Sequence, residues 1–132
     1  MTTPIGNRSL KAPEIDPGCK EAFDAMREKK LIYGFCPESG FAHHYPRQTD
    51  PFSMSEVIEF REASGEGTLY SYSVMRTKEP YVVAYVTLAE GPTMLTNIVD
   101  CDADALKVGQ KVKLAWAPTD DETLFMPVFT PA

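Results

Sequence analysis

The sequence predicts a mainly β protein, in which an N-terminal helix and an irregular arm precede a small Greek-key barrel. Three observations carry this prediction. Short apolar runs, separated by glycine and proline, recur from Met54 to the end of the chain. A single run with helical spacing lies near the N-terminus. Between them, residues 31–53 contain five glycines and prolines and follow neither period, so this segment has little core of its own.

The helix is predicted over residues 17–30. Asp16 can cap it with its carboxylate, and Pro17 suits the first helical position. Ala22, Phe23 and Met26 follow at helical spacing and predict one apolar face. Residues 1–15 are polar and contain two prolines and a glycine, so we interpret them as a flexible leader.

The β-rich part begins with an alternating run in which Glu56, Ile58 and Phe60 share one face, and residues 65–67 then bend the chain. Further strands are predicted over residues 69–74, 81–88, 94–99, 110–116 and 124–129. A helical turn at residues 102–106, closed by Gly109, precedes the penultimate strand. A glycine-kinked first strand and one short helix in this place are typical of a five-stranded OB-fold barrel. We therefore divide the chain into a leader (1–15), a helix and arm (16–53) and a barrel (54–132).

Composition excludes several classes of protein. The chain has 132 residues, a net charge of −6 and 43% hydrophobic residues, which is ordinary for a globular domain and unlike a disordered chain. No apolar run approaches the roughly 20 residues of a membrane helix, and the N-terminus does not resemble a signal peptide. Three widely spaced cysteines (Cys19, Cys36 and Cys101) do not form a secreted disulfide pattern, so we expect a cytoplasmic protein.

The arm contains the spacing of a zinc ribbon without its ligands. Ser39 follows Cys36 by three residues, and Ser53 follows Asp50 by three. Two cysteine pairs at this spacing converge on one zinc ion, but serine hydroxyls are poor zinc ligands. Cys36, Asp50 and either His43 or His44 are the residues from which a substitute site could be assembled. We expect instead a degenerate ribbon that keeps its shape without a metal or other cofactor.

The remaining patterns carry no catalytic signature. His43 and His44 have no nucleophile beside them in a recognisable motif, so we interpret them as a solvated loop pair rather than an acid–base pair. Tyr70, Tyr72, Tyr81 and Tyr85 lie on predicted strands; in an acidic protein we expect them in the core or an interface rather than stacked on nucleobases.

From Phe23 to Ala132, the chain resembles the rubredoxin-like zinc-ribbon plus OB-fold proteins that are associated with acyl-CoA and thiolase-type enzymes. The resemblance rests on the order and spacing of several motifs: Cys36-x-x-Ser39, residues 45–47 with Asp50-Pro51, and residues 64–72, 80–84, 88–92, 95–99, 109–112 and 129–132. The family pattern has cysteine at the positions of Ser39, Asp50 and Ser53. The resemblance implies a non-catalytic helper subunit of a thiolase, acyltransferase or aldolase that acts on CoA thioesters, with catalysis in the partner.

Two other functions stay open at this point. The first is a stand-alone module that binds acyl-CoA or another small molecule, for which Arg47, Arg76 and Lys78 would contact the phosphates. The second is single-stranded nucleic-acid binding, which the OB-fold alone suggests and the net charge of −6 opposes.

A partner interface is predicted on the helix and the arm. We expect this part of the chain to be too small to bury its large apolar residues, which are Phe23, Met26, Phe35, Phe41 and Phe52. The barrel should supply its own core, which includes Ile58, Val83 and Leu95. On this hypothesis, aspartate at Phe23 or Phe41 abolishes association and leaves the barrel intact.

Overall fold

A computed structural model describes residues 11–14, 20–78 and 80–132. The elements are α1 (Lys20–Arg27), β1 (Ile32–Phe35), β2 (Ala42–His43), β3 (Glu59–Glu62), β4 (Glu66–Met75), β5 (Tyr81–Leu88), β6 (Thr93–Ile98), a 3₁₀ helix (Ala103–Ala105), β7 (Lys111–Pro118) and β8 (Phe125–Pro131). Within these ranges, no helix is long and apolar enough to cross a bilayer. The predicted leader lies mostly outside the described residues, as do Asp16, Pro17 and Cys19.

The last five strands close into a barrel in the order β4-β5-β6-β8-β7. All their pairings are antiparallel except β6 with β8, which is parallel. β4 is long enough to pair with both β5 and β7, and its register with β5 shifts between Leu69 and Ser71. Gly67 permits close packing here, because a Cβ atom at this position would lie 2.6 Å from Val86 Cγ1. The 3₁₀ helix precedes β7, as predicted, and the OB-fold is confirmed.

Helix α1 ends earlier than its sequence pattern predicts. Lys29 has a φ of 57°, and the backbone N–H of Lys30 donates to the Ala25 carbonyl at 2.9 Å. A left-handed residue with a hydrogen bond spanning five residues is a common helix C-terminus. The last regular residue is therefore Arg27 rather than residue 30.

The arm is a three-stranded antiparallel sheet with β1 in the centre. β1 pairs with β2 on one side and with β3 on the other, where Gly34 lies opposite Phe60. The prediction assigned the run 54–60 to the barrel, and this assignment of the strand is wrong. Alternating polarity identifies a strand but not its partner, and the bend at Gly65, which has a φ of 90°, redirects the chain between β3 and β4.

Two apolar clusters hold the described part of the chain together. The larger fills the barrel and also contains Leu31 and Tyr33 of the arm. The smaller joins Ala22, Phe23 and Met26 of α1 to Leu124, and Trp116 on β7 packs against both clusters. The expectation that the barrel has a core separate from the arm is therefore wrong. Leu95, expected in that core, is 59% exposed because the alternate residues Met94, Thr96 and Ile98 face inward.

Candidate functional site

The arm exposes four large apolar side chains, which we call the arm patch: Phe41, Phe52, Met54 and Val57. Phe41 is 56% exposed and Phe52 is 65% exposed. Their ring centroids lie 5.1 Å apart at an interplanar angle of 49°, so the two rings form one apolar feature. Each lies in a tight turn of the arm, at residues 36–41 and 50–55, and this placement keeps both rings outside the core.

The other three residues of the predicted interface are buried or covered by other parts of the same chain. Phe23 is 5% exposed and stacks on Tyr45 with centroids 5.9 Å apart, and Met26 is 1% exposed. Phe35 is half-buried against the barrel core, and the Arg61 guanidinium lies 3.9 Å from its ring centroid. The expectation that the helix and the arm leave these side chains at the surface is wrong, because α1 packs on Leu124 and Phe35 packs against the barrel cluster.

The two turns bring Cys36, Ser39, Asp50 and Ser53 into one cluster. Asp50 is fully buried, and its Oδ2 accepts hydrogen bonds from the Ser53 backbone N–H at 2.9 Å and from the Ser53 hydroxyl at 2.6 Å. Burial raises the pKa of the Asp50 carboxyl, but the hydrogen bonds from Ser53 and Ser39 together hold it below its ordinary value. The carboxylate is therefore ionised at neutral pH.

Cys36 is the second polar centre of this cluster. Its thiol is fully buried, which raises its pKa, but hydrogen bonds from Ser39, Glu38 and Ser55 outweigh burial and lower the pKa below its ordinary value. The Ser55 hydroxyl also donates to Glu38 Oε1 at 3.0 Å, which links one turn to the other.

The donor set of this cluster does not fit a structural zinc ion. Zinc in such sites prefers thiolate or imidazole, whereas three of the four positions supply a carboxylate and two hydroxyls. His43 and His44 do not complete the set: in the described ranges, no three His, Cys, Asp or Glu residues are grouped as a metal site. The histidine substitutes considered from the sequence are therefore not brought to Cys36 and Asp50.

The two histidines lie in different surroundings, His43 within the sheet of the arm and His44 beside the barrel. His43 is 6% exposed, its Nε2 accepts from the Arg47 backbone N–H at 3.2 Å, and its ring covers Gly34. A Cβ atom at Gly34 would lie 2.3 Å from His43 Nε2, which explains the glycine in this strand. The interpretation of the histidines as a solvated loop pair is wrong, because both rings are packed.

His44 lines a groove between the arm and the outer face of the barrel. Its ring stacks on Tyr45 with centroids 4.6 Å apart, and its Nε2 is buried with no hydrogen-bond partner in the described part of the chain. The groove has a volume of about 320 Å³ and is lined by Lys11, Pro13, His44, Tyr45, Val83, residues 94–97 and residues 126–128. Burial, followed by the charge of His43, lowers the pKa of His44 to about 4, so its ring is neutral at pH 7.

The three cations proposed for phosphate binding lie on two separate loops. Arg47 is exposed in the segment after β2, while Arg76 and Lys78 are exposed in the loop between β4 and β5. The Arg76 guanidinium is 3.6 Å from Asp104 Oδ1, so a carboxylate already accompanies it.

Sequence reasoning missed an apolar pair on the outside of the barrel. Tyr85 on β5 and Leu95 on β6 lie opposite each other in register and are 47% and 59% exposed. Both residues lie in runs whose alternation predicts a strand. The alternation does not say which face of the strand points into the barrel, because that depends on how the strands pair. The groove beside His44 gave no sequence signal, since it forms only when the arm reaches the barrel.

Comparisons with known proteins agree with this architecture. A family model described as "ChsH2, C-terminal OB-fold domain" matches residues 60–117. A chain of the solved Ltp2-ChsH2(DUF35) aldolase is 33% identical and superimposes with a TM-score of 0.79, covering 91% of this chain and 98% of that one. A DUF35-family protein of unknown function from Sulfolobus solfataricus, 17% identical with a TM-score of 0.64 and coverage of 88% and 86%, shares the fold.

Curated relatives match as well. A DUF35 domain-containing scaffold protein of Pyrococcus furiosus is 32% identical over 67% of this chain and 71% of its own length. One from Methanothermobacter thermautotrophicus is 38% identical over 49% of this chain and 54% of its own length. A probable enoyl-CoA hydratase alpha subunit of Thermomonospora curvata is 35% identical over 83% of this chain. This chain spans only 36% of the Thermomonospora protein and about half of the Methanothermobacter one.

Proposed function

The chain belongs to the DUF35 family of OB-fold proteins, and we propose that it is a non-catalytic accessory subunit of a thiolase-like, acyltransferase or aldolase enzyme that acts on acyl-CoA thioesters. The observation that carries this proposal is the likeness to a chain of the Ltp2-ChsH2(DUF35) aldolase over 91% of this chain, at 33% identity and a TM-score of 0.79. The scaffold proteins among the relatives and the enoyl-CoA hydratase alpha subunit support the same kind of assembly.

The arm patch is the surface that we assign to the partner enzyme. Phe41 and Phe52 contact each other outside both apolar clusters, so the fold does not use most of their area. Paired aromatic rings at a surface are common in the centres of protein interfaces. We do not include Phe23, Met26 and Phe35 in this interface, because they are buried or covered within the chain.

Catalysis is assigned to the partner because the described residues offer no catalytic arrangement. His44 is neutral and shielded, and Cys36 and Asp50 are fully buried in their own hydrogen-bonded cluster. A buried nucleophile without access to solvent cannot reach a thioester. We also keep a cytoplasmic location within the proposal, because the three widely spaced cysteines do not form a secreted disulfide pattern.

The test is capture from the native host with the tagged chain, identification of the co-purifying enzyme, and reconstitution of the complex from purified components. Phe41→Asp and Phe52→Asp are expected to raise the dissociation constant of the complex by at least ~30-fold, because a charge would replace a ring that the partner covers. Val108→Asp is the matched control, since Val108 is 66% exposed on the barrel and should not change binding.

Three outcomes would contradict the proposal. The captured enzyme could lack activity on CoA thioesters, or the two arm variants could bind it as tightly as the Val108→Asp control. Turnover of acyl-CoA thioesters by the purified chain alone would contradict the non-catalytic assignment. Tight binding of CoA by the chain without any partner would favour the alternative of a stand-alone acyl-CoA module instead.

A further inference from the structure

The two turns of the arm repeat the same backbone hydrogen bonds. In the first turn, the Gly40 N–H donates to the Cys36 carbonyl at 2.7 Å, and the Cys36 N–H donates to the Phe41 carbonyl at 3.0 Å. In the second turn, the Met54 N–H donates to the Asp50 carbonyl at 2.9 Å, and the Asp50 N–H donates to the Ser55 carbonyl at 2.8 Å. Asp50 therefore occupies in the second turn the position that Cys36 occupies in the first.

The backbone conformation repeats along with the bonds. The fifth residue of each turn has a positive φ, 77° at Gly40 and 64° at Met54. A left-handed conformation is costly for methionine, and the second turn adopts it all the same. Ser39 and Ser53 are then also equivalent, each three residues after the first residue of its turn.

The side chains of the two turns bond within and between them. Asp50 Oδ2 accepts from the backbone and hydroxyl of Ser53, and the Ser55 hydroxyl donates to Glu38 Oε1 across the turns. The Phe41 and Phe52 rings also meet across them, with centroids 5.1 Å apart. The Ser39 hydroxyl accepts from the Phe41 backbone N–H at 3.3 Å within the first turn.

We propose that the paired turns form a metal-free clasp where four thiolates would otherwise hold a metal ion. The buried Asp50 carboxylate fixes the second turn through Ser53, and the hydrogen bond from Ser55 to Glu38 joins the second turn to the first. The clasp keeps the backbone geometry of a two-knuckle metal site while its donor set has changed. Cysteines at positions 39, 50 and 53 would therefore complete a site for zinc with Cys36.

The first experiment compares the unmodified protein with the triple variant Ser39→Cys, Asp50→Cys, Ser53→Cys, using Co²⁺ and then Zn²⁺ as probes. The triple variant is expected to bind one Co²⁺ with the absorption of tetrahedral thiolate coordination, and Zn²⁺ should displace it. Adding Cys36→Ser to the triple variant should weaken Co²⁺ binding at least ~10-fold and change its spectrum. The unmodified protein should show no thiolate–cobalt absorption, and a chelator should leave its thermal transition unchanged.

The second experiment does not depend on the triple variant folding. Asp50→Asn keeps the shape of the side chain but removes its charge, so hydrogen exchange of the amides at residues 36–55 should accelerate at least ~10-fold. Glu122→Gln, at an exposed carboxylate, is the control and should leave exchange in the arm unchanged.

The proposal is overturned by stoichiometric zinc in the unmodified protein whose removal lowers its stability. It is also overturned by a folded triple variant that binds neither Co²⁺ nor Zn²⁺, because the four positions would then not converge. Unchanged exchange of residues 36–55 in Asp50→Asn would show that the carboxylate does not hold the turns together. None of these readouts involves a partner enzyme, so failure here is distinct from failure of the proposed function.

Discussion

His44 is the residue whose ionisation the fold changes most clearly. Its ring stacks on Tyr45 and lines the groove beside the outer face of the barrel, and its Nε2 is buried without a partner in the described residues. Removing an imidazolium from water is costly, and the charge of His43 adds repulsion, so the pKa of His44 falls from 6.5 to about 4. Folding therefore favours the neutral ring.

The free energy of unfolding should fall as the pH is lowered from 6.5 towards 4. In this window the unfolded chain protonates His44 and the folded chain does not, so the stabilising contribution is present above pH 6.5 and lost as the pH decreases. We expect a loss of about 2 kcal/mol between pH 7 and pH 5 from this residue. Urea unfolding of the unmodified protein and of His44→Gln at both pH values measures it.

The His44→Gln variant isolates this effect from the other titrating groups. The carboxyl pKa values of Asp50, Asp102 and Asp121 are also lowered by folding, but their contributions are lost only below pH 4. A variant that keeps the full pH dependence between 7 and 5 would show that His44 is not its origin.

At the scale of elements, β1 and the residue before it connect the arm to the barrel. Leu31 is 1% exposed and Tyr33 is 7% exposed, and both belong to the cluster that fills the barrel. α1 is attached separately through Phe23 and Met26, with Trp116 touching both clusters. Shared cores of this kind couple elements into one cooperative unit.

Leu31→Ala is expected to lower the free energy of unfolding by about 2–5 kcal/mol, because it leaves a cavity in a shared core. Denaturant unfolding should give one transition, whether followed by Trp116 fluorescence or by circular dichroism. Val57→Ala, at a 51% exposed position of the arm, is the control and should change stability by less than about 0.5 kcal/mol. If Leu31→Ala unfolded the arm and left the Trp116 transition in place, the two parts would be independent.

At the scale of the whole molecule, the negative net charge of the chain opposes binding of nucleic acid. The chain carries a net charge of −6, and Arg76 is paired with Asp104 on the loop between β4 and β5. Tyr70 is 65% exposed and Tyr85 is 47% exposed, so the barrel does present aromatic rings. Stacking platforms for single strands need a positively charged groove as well, and the net charge opposes one.

A labelled single-stranded oligonucleotide is therefore expected not to bind at about 50 mM salt, where electrostatic attraction is strong. Fluorescence anisotropy measures this directly. Binding that weakens steeply as salt is raised would show that a local basic surface overcomes the net charge, and the third function considered from the sequence would return.

Local patterns were sufficient for the helix, the strands of the barrel and the order that identifies an OB-fold. The apolar spacing of Ala22, Phe23 and Met26 and the alternation in residues 81–88 each report which side chains share a face, and that information is local. The spacing of Cys36 with Ser39 and of Asp50 with Ser53 likewise located the cluster of the arm. None of these signals depends on what another segment does.

The tertiary structure alone decided which faces meet. It placed β3 beside β1 rather than in the barrel, turned Leu95 outward, and buried Phe23 under the C-terminal strands while Phe41 stayed exposed. The sequence by itself determined which faces are apolar, because side-chain periodicity follows from backbone geometry. Which segment covers each face depends on the closure of the barrel and on the packing of the arm against the barrel. Both bring together residues that are far apart in the chain.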